Sequence, residues 1–204
     1  MIRRMHRRPP RRLGFGVAAM WMLVAALGAP PAGAAAADGM LDADDVGLVV
    51  VSKPHRSTVI AIDAVTPECA PTDGVEREAR VVGFATTAKD PASGARLNQV
   101  VYDFESTGAA KAFFADVRAN DSQRATCGAT DKASDLELTK RPAGIGDARF
   151  TVTSNEEISG ATRSVVSVEI LTGSTITELI FINWDTSLPT TTAVAKTAVK
   201  RLRR

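Results

Sequence analysis

The sequence predicts an α+β domain: a twisted antiparallel sheet of about five or six strands with helices on one face, forming a two-layer sandwich. Three observations carry this reading. Apolar stretches of strand length alternate with period two and are joined by short Gly-, Pro- and Asp-containing turns. A helical apolar period occurs only after the second clear strand and again at the C-terminal end. About 170 residues follow an N-terminal leader, a length that suits one domain with one core.

The leader occupies residues 1–34. Arg3, Arg4, Arg7, Arg8, Arg11 and Arg12 form a positive region without an acid, and residues 13–27 are apolar, interrupted by small residues. Ala32-Gly33-Ala34 then supplies the small-x-small site of a cleavable signal peptide. The apolar run is about 15 residues, short of the roughly 20 that span a bilayer, so cleavage near Ala34 is expected over retention as an anchor. Arg11-Arg12-Leu13-Gly14-Phe15 loosely resembles a twin-arginine signal, and both export routes stay open. The whole chain carries 25 Lys and Arg against 23 Asp and Glu, a formal +2. Without the six leader arginines, 19 basic residues face 23 acids, or −4. That balance and the 5% aromatic content leave no electrostatic footprint or stacking platform for nucleic acid. The only two cysteines are Cys69 and Cys127. In an exported chain such a pair is expected to form a disulfide, worth about 4 kcal/mol for a loop of this length.

The elements follow in order. Residues 35–39 form a disordered lead-in. Residues 40–51 begin as a short helix whose early Asp42, Asp44 and Asp45 suit its positive end. Asp42 to Gly47 echoes a calcium loop, but the twelfth position, where such a loop needs a carboxylate, holds Lys53. A short strand or turn covers 59–62, and Pro67 precedes Cys69 in a loop. Strands over 79–87 and 97–104 flank a turn at 89–94. Ser106 caps a helix running to about Asn120, with Ala110, Phe113 and Val117 on one face and Cys127 just beyond. Strands follow over 136–140, 150–154, 164–171 and 175–184, the last two a hairpin turning over Thr172-Gly173. In the loop before residue 150, Asp147 is expected to accept backbone N–H groups. A final helix begins near Pro189, with Ala195, Ala198, Val199 and Leu202 inward and Lys200, Arg201, Arg203 and Arg204 at its negative end. That basic helix could touch an anionic membrane surface or wall polymer.

The hairpin holds the candidate site. A turn at Thr172-Gly173 sets Glu169 opposite Ile176, Ser167 opposite Glu178 and Val165 opposite Ile180. Val166, Val168, Ile170, Leu179 and Phe181 then form a core face. Arg163, Val165, Ser167, Glu169, Glu178, Ile180, Ile182 and Trp184 lie on the other, joined by Asp103 if its strand is in phase. This second face is too apolar to be wholly solvated. Either residues 46–62 cover it, or it is a groove with Trp184 as aromatic anchor and Glu169, Glu178, Ile180 and Ile182 as lining.

The order of elements resembles the PknH-like extracellular sensor domain family of actinobacterial secreted and lipid-anchored proteins. The likeness is carried by Leu41-Asp42-Ala43-Asp44-Asp45-Val46-Gly47 ahead of a Cys in a proline-containing loop, and by Val100-Val101-Tyr102-Asp103-Phe104 leading into an alanine-rich helix. Gly146-Asp147, the hairpin and the terminal helix complete it over residues 40–204. The resemblance implies a cleft and ligand sensing without catalysis. One pair of cysteines stands here where the kinase's sensor domain has two disulfides.

No residue set marks an enzyme. Paired carboxylates serve glycoside hydrolysis, yet Glu169 and Glu178 on a sheet face are commonplace. His55 is the one histidine after the leader, too few with a bonded cysteine pair for Cys-His chemistry or a metal site. Nucleophile-elbow and phosphate-loop motifs are missing from the sequence. The expected function is a non-enzymatic, cofactor-free binding module for a small molecule, peptide or envelope component. The alternative is a structural or interaction protein of the envelope without a ligand pocket.

Overall fold

The computed structural model describes residues 38–62, 69, 74–87, 94–128, 145–158 and 161–204. The leader, the expected strand over 136–140 and the turn over 89–93 lie outside the described residues. No helix among the described residues is long and apolar enough to cross a membrane.

Helix α1 (Ala43–Val46) and strand β1 (Val49–Ile62) are followed by β2 (Val75–Ala85), β3 (Arg96–Asp103) and helix α2 (Thr107–Gly128). Strands β4 (Ala148–Ile158), β5 (Ala161–Thr172) and β6 (Thr175–Ile182) lead to helix α3 (Thr191–Leu202). The strands form one six-stranded sheet in the order β1-β2-β3-β6-β5-β4, antiparallel throughout. This is the expected α+β sheet with helices. The side-chain alternation of a strand gives the sheet two apolar faces, and the helices divide between them rather than gathering on one.

On the first face Val82, Phe84, Leu97, Val101, Val168, Ile170, Leu179 and Phe181 are buried against Met40, Leu41, Val46 and α3. The inward side of α3 is Val194, Ala195, Ala198 and Val199. On the second face Ala79, Val81, Val100, Tyr102, Phe150, Leu171 and Ile176 pack against Ala110, Phe113, Phe114 and Val117 of α2. Each large apolar side chain so buried stabilises by about 1.5–3 kcal/mol.

The aspartate run at the N-terminal end is a helix cap. Asp42 accepts from the backbone N–H groups of Asp44 and Asp45, and the Asp45 carboxylate accepts from Asp42 N in return, a capping box. Arg201 of α3 pairs with Asp42 and with Asp45, tying the first helix to the last. Asp38 and Gly39 are not a disordered lead-in: they form a turn, with the Asp38 carbonyl accepting from Arg80 and Gly39 against Leu202.

Three expectations change in detail. Most of the segment 46–62 is the edge strand β1, which extends the sheet beside β2, and only its Val59, Ala61 and Ile62 pack against the second-face cluster. The hairpin turns over Gly173-Ser174, one residue later than expected, with Gly173 at φ 60°. That delay moves every cross-strand partner by two, so Glu169 faces Glu178, Ser167 faces Ile180 and Val165 faces Ile182. A two-residue shift keeps both faces intact. Helix α2 runs on to Gly128 and contains Cys127, which is bonded to Cys69. Its apolar period stops at Val117 because the next turns of its inner side are polar, which is why the sequence reads as a helix ending near Asn120.

Candidate functional site

Both faces of α2 matter to the site. Its first turns are fixed by Ser106, whose hydroxyl accepts from Ala109 N at 3.1 Å, and its last turn by the disulfide between Cys127 and Cys69. Between these ends the inner side changes character. Phe113 packs on Tyr102 and Phe104 at ring-centroid distances of 6.1 and 5.3 Å, and Phe114 meets Phe150 edge-on at 5.2 Å. The Arg77 guanidinium lies 4.1 Å over the Phe104 ring. Beyond Val117 come Asp121 and Arg124, paired at 3.6 Å.

On the sheet, the carboxyl pair Glu169 and Glu178 stands in the middle of this second face. Glu169 is 5% exposed and Glu178 half-buried. The Tyr102 hydroxyl donates to Glu178 at 3.3 Å and the Ser167 hydroxyl donates to its other oxygen at 3.2 Å. Burial raises the Glu178 carboxyl to about 7, and the negative Asp121 adds to the rise. Burial pushes Glu169 well above the carboxylate range, reinforced by the charge of Glu178. The two stand directly opposite one another on neighbouring strands, so their titrations are linked. Burial and the same two glutamates raise the Tyr102 phenol well above its ordinary value, keeping it a donor.

On the flank of α2, facing the edge of the sheet, lies an open groove of about 670 Å³. Lys111, Phe114, Ala115, Arg118, Ala119 and Ser122 form its helical wall. Ala148 and Leu171, cross-strand partners on β4 and β5, and the neighbouring Asp147 form the other wall. The helical residues recur at intervals of three and four, one stripe of α2. Asp147 is already engaged: its carboxylate accepts from Gly173 N at 2.7 Å and lies 3.8 Å from Arg203. Gly146 makes this bend possible, at φ 64° with the Leu171 carbonyl 2.5 Å from where a Cβ would stand.

The structure brings some of the expected site residues together and separates others. Glu169, Glu178, Ile180 and Ile182 share the second face, and Val165, Ile180 and Ile182 form a small buried cluster beside the carboxyl pair. Trp184 does not join them. Asn183 takes a left-handed turn, φ 48°, which ends the alternation and sends Trp184 to the first face. There it meets Phe181 edge-on at 4.9 Å and donates Nε1–H to the Pro189 carbonyl at 2.8 Å. Asp103 is also on the first face, held by Arg80 at 2.8 and 2.9 Å. α2 covers the part of the second face formed by Val81, Val100, Tyr102, Phe150, Leu171 and Ile176, and Val165, Ile180 and Ile182 are buried apart from it.

The groove residues of α2 escape the sequence reading, although their signal is present. Lys111, Ala115, Arg118 and Ser122 repeat at helical spacing beside the core stripe of Ala110, Phe113 and Val117. Among the described residues, no group of three or more His, Cys, Asp or Glu side chains is arranged to hold a metal ion. Compared with protein-family models and with curated proteins, the chain matches none.

Proposed function

We propose that this protein is an exported, non-catalytic binding module of the sensor type, which takes a small molecule, peptide or envelope component into the groove along α2. The groove of about 670 Å³ carries the reading, for it has the size of a ligand site, an apolar floor at Phe114 and Leu171, and polar groups at its rim. Three further points support it. The signal-like leader and the Cys69–Cys127 disulfide fit delivery to an oxidising, extracytoplasmic compartment. The resemblance to the PknH-like extracellular sensor domains implies ligand sensing without chemistry. The paired glutamates, the strongest candidates for catalysis, lie beneath α2 instead of in a cleft, with Glu169 almost wholly buried.

Native mass spectrometry of the secreted protein tests the proposal. A bound small molecule or peptide is expected on the wild type and absent from Ala119→Trp, which fills the groove from an exposed position. A ligand retained by that variant would place binding elsewhere.

The alternative, an envelope interaction protein, draws on one observation. Val49, Val50 and Val51 are exposed in succession on the edge strand β1, at 43, 38 and 40%. A sheet edge with apolar side chains is a surface that another strand can extend. Cross-linking of the secreted protein in intact cells distinguishes the two: partner adducts lost on Val50→Lys would favour the interaction role.

A further inference from the structure

Resting on that reading of the groove, we infer that its ligand class is an anionic amphiphile, a single apolar chain with a carboxylate or phosphate head. The argument is one of complementary surfaces. The floor is hydrocarbon: Phe114 from α2 and Leu171 from β5. Ala115 and Ala119 keep the helical wall low, so a chain can lie close to the α2 backbone. The helical wall brings in positive charge, and the facing wall brings in the carboxylate of Asp147. Lys111 and Arg118 are both exposed and both line it, seven residues apart on one stripe, about 10 Å along the helix axis. Among the described residues no carboxylate pairs with either of them. The one acid at the rim, Asp147, is bonded to Gly173 N and faces Arg203. A cationic head would meet two like charges there, and an anionic head two exposed partners. An anionic head at either cation leaves the chain over Phe114 and Leu171.

This differs from the hairpin groove that the sequence suggests, where the acids Glu169 and Glu178 would favour a cation. Those acids lie under α2, and the charge that the groove offers is positive.

Calorimetric titration with three twelve-carbon probes, the ionic ones below their micelle-forming concentrations and the alcohol below its solubility limit, tests the inference. Dodecanoate is expected to bind, with dodecanol and dodecyltrimethylammonium at least tenfold weaker. Lys111→Glu and Arg118→Glu, both at exposed positions, are each expected to weaken dodecanoate about tenfold and to leave the circular dichroism spectrum unchanged. Equal binding of all three probes, abolished by Ala119→Trp, would overturn the anion class and leave the groove as the site. Failure of all three to bind would overturn this inference, and the proposed function then stands or falls on what the native protein carries.

Discussion

Glu169 and Glu178 stand directly opposite one another across β5 and β6, beneath α2, and burial raises both carboxyl groups. Two carboxylates side by side in a buried site cannot both ionise cheaply. In the unfolded chain each titrates near 4.5; in the fold Glu178 titrates near 7 and Glu169 well above the ordinary value. Between these limits the folded chain holds more protons than the unfolded one. The stabilisation is therefore fully present below pH 4.5 and is lost as pH rises through about 7. The negative Asp121 of α2 acts on both glutamates, and the neutral Tyr102 hydroxyl of β3 donates to Glu178.

Urea unfolding across pH 5 to 8.5 checks this directly. Stability is expected to fall toward the alkaline end. Glu169→Gln, which keeps the shape and removes one ionisable group, is expected to flatten that slope and to stabilise at pH 8 by about 1 kcal/mol or more, one pKa unit being worth about 1.4 kcal/mol. A slope unchanged in the variant would contradict the raised carboxyl pair.

The disulfide holds the far end of α2 to the segment between β1 and β2. Non-reducing peptide mapping is expected to recover the Cys69 and Cys127 peptides as one linked species. Cys127→Ser is expected to cost about 4 kcal/mol on the chain-entropy account and to expose the last turn of α2 to amide exchange first. Recovery of both cysteines as free thiols from protein purified without reductant would refute the link.

Trp184 has a structural role in this fold. Its ring packs on Phe181 at the margin of the first-face core while remaining partly accessible. Trp184→Ala is expected to lower stability by about 2–3 kcal/mol, somewhat less than the cost of truncating a fully buried aromatic. Dodecanoate affinity should be unaltered. Loss of binding with an unchanged melt would return Trp184 to the site.

Gly146 sets the bend that aims Asp147. A Cβ there would meet the Leu171 carbonyl at 2.5 Å in a left-handed backbone. Gly146→Ala is expected to destabilise by about 1–3 kcal/mol, read by thermal melting.

How far the sequence could be read depended on the length of each periodic signal. The faces of β5 and β6, the core side of α3, the aspartates at the start of α1, the cap at Ser106, the cysteine pair and the backbone role of Asp147 all follow from local patterns that the fold keeps. The hairpin register did not, since Thr172-Gly173 and Gly173-Ser174 are both plausible turns and differ by two in every pairing. Trp184 was misplaced because one residue, Asn183, leaves the strand conformation at its end. Helix α2 looked short because its inner side turns from Val117 to Asp121 where the sheet beneath turns from Ile176 to Glu178. The groove was hidden for a related reason: it needs Leu171 and Ala148 beside α2, and no pattern within α2 reveals its tertiary neighbours.

The central claim is that binding takes place along α2 and not at the Trp184 end of the hairpin. Amide chemical-shift mapping of the isotope-labelled mature protein, titrated with dodecanoate below its micelle-forming concentration, tests it most directly. The account predicts shifts confined to Lys111, Ala115, Arg118, Ala119, Ala148 and Leu171, with Trp184 Nε1–H unmoved. Shifts centred on Trp184 and Ile182, with the α2 stripe silent, would contradict it.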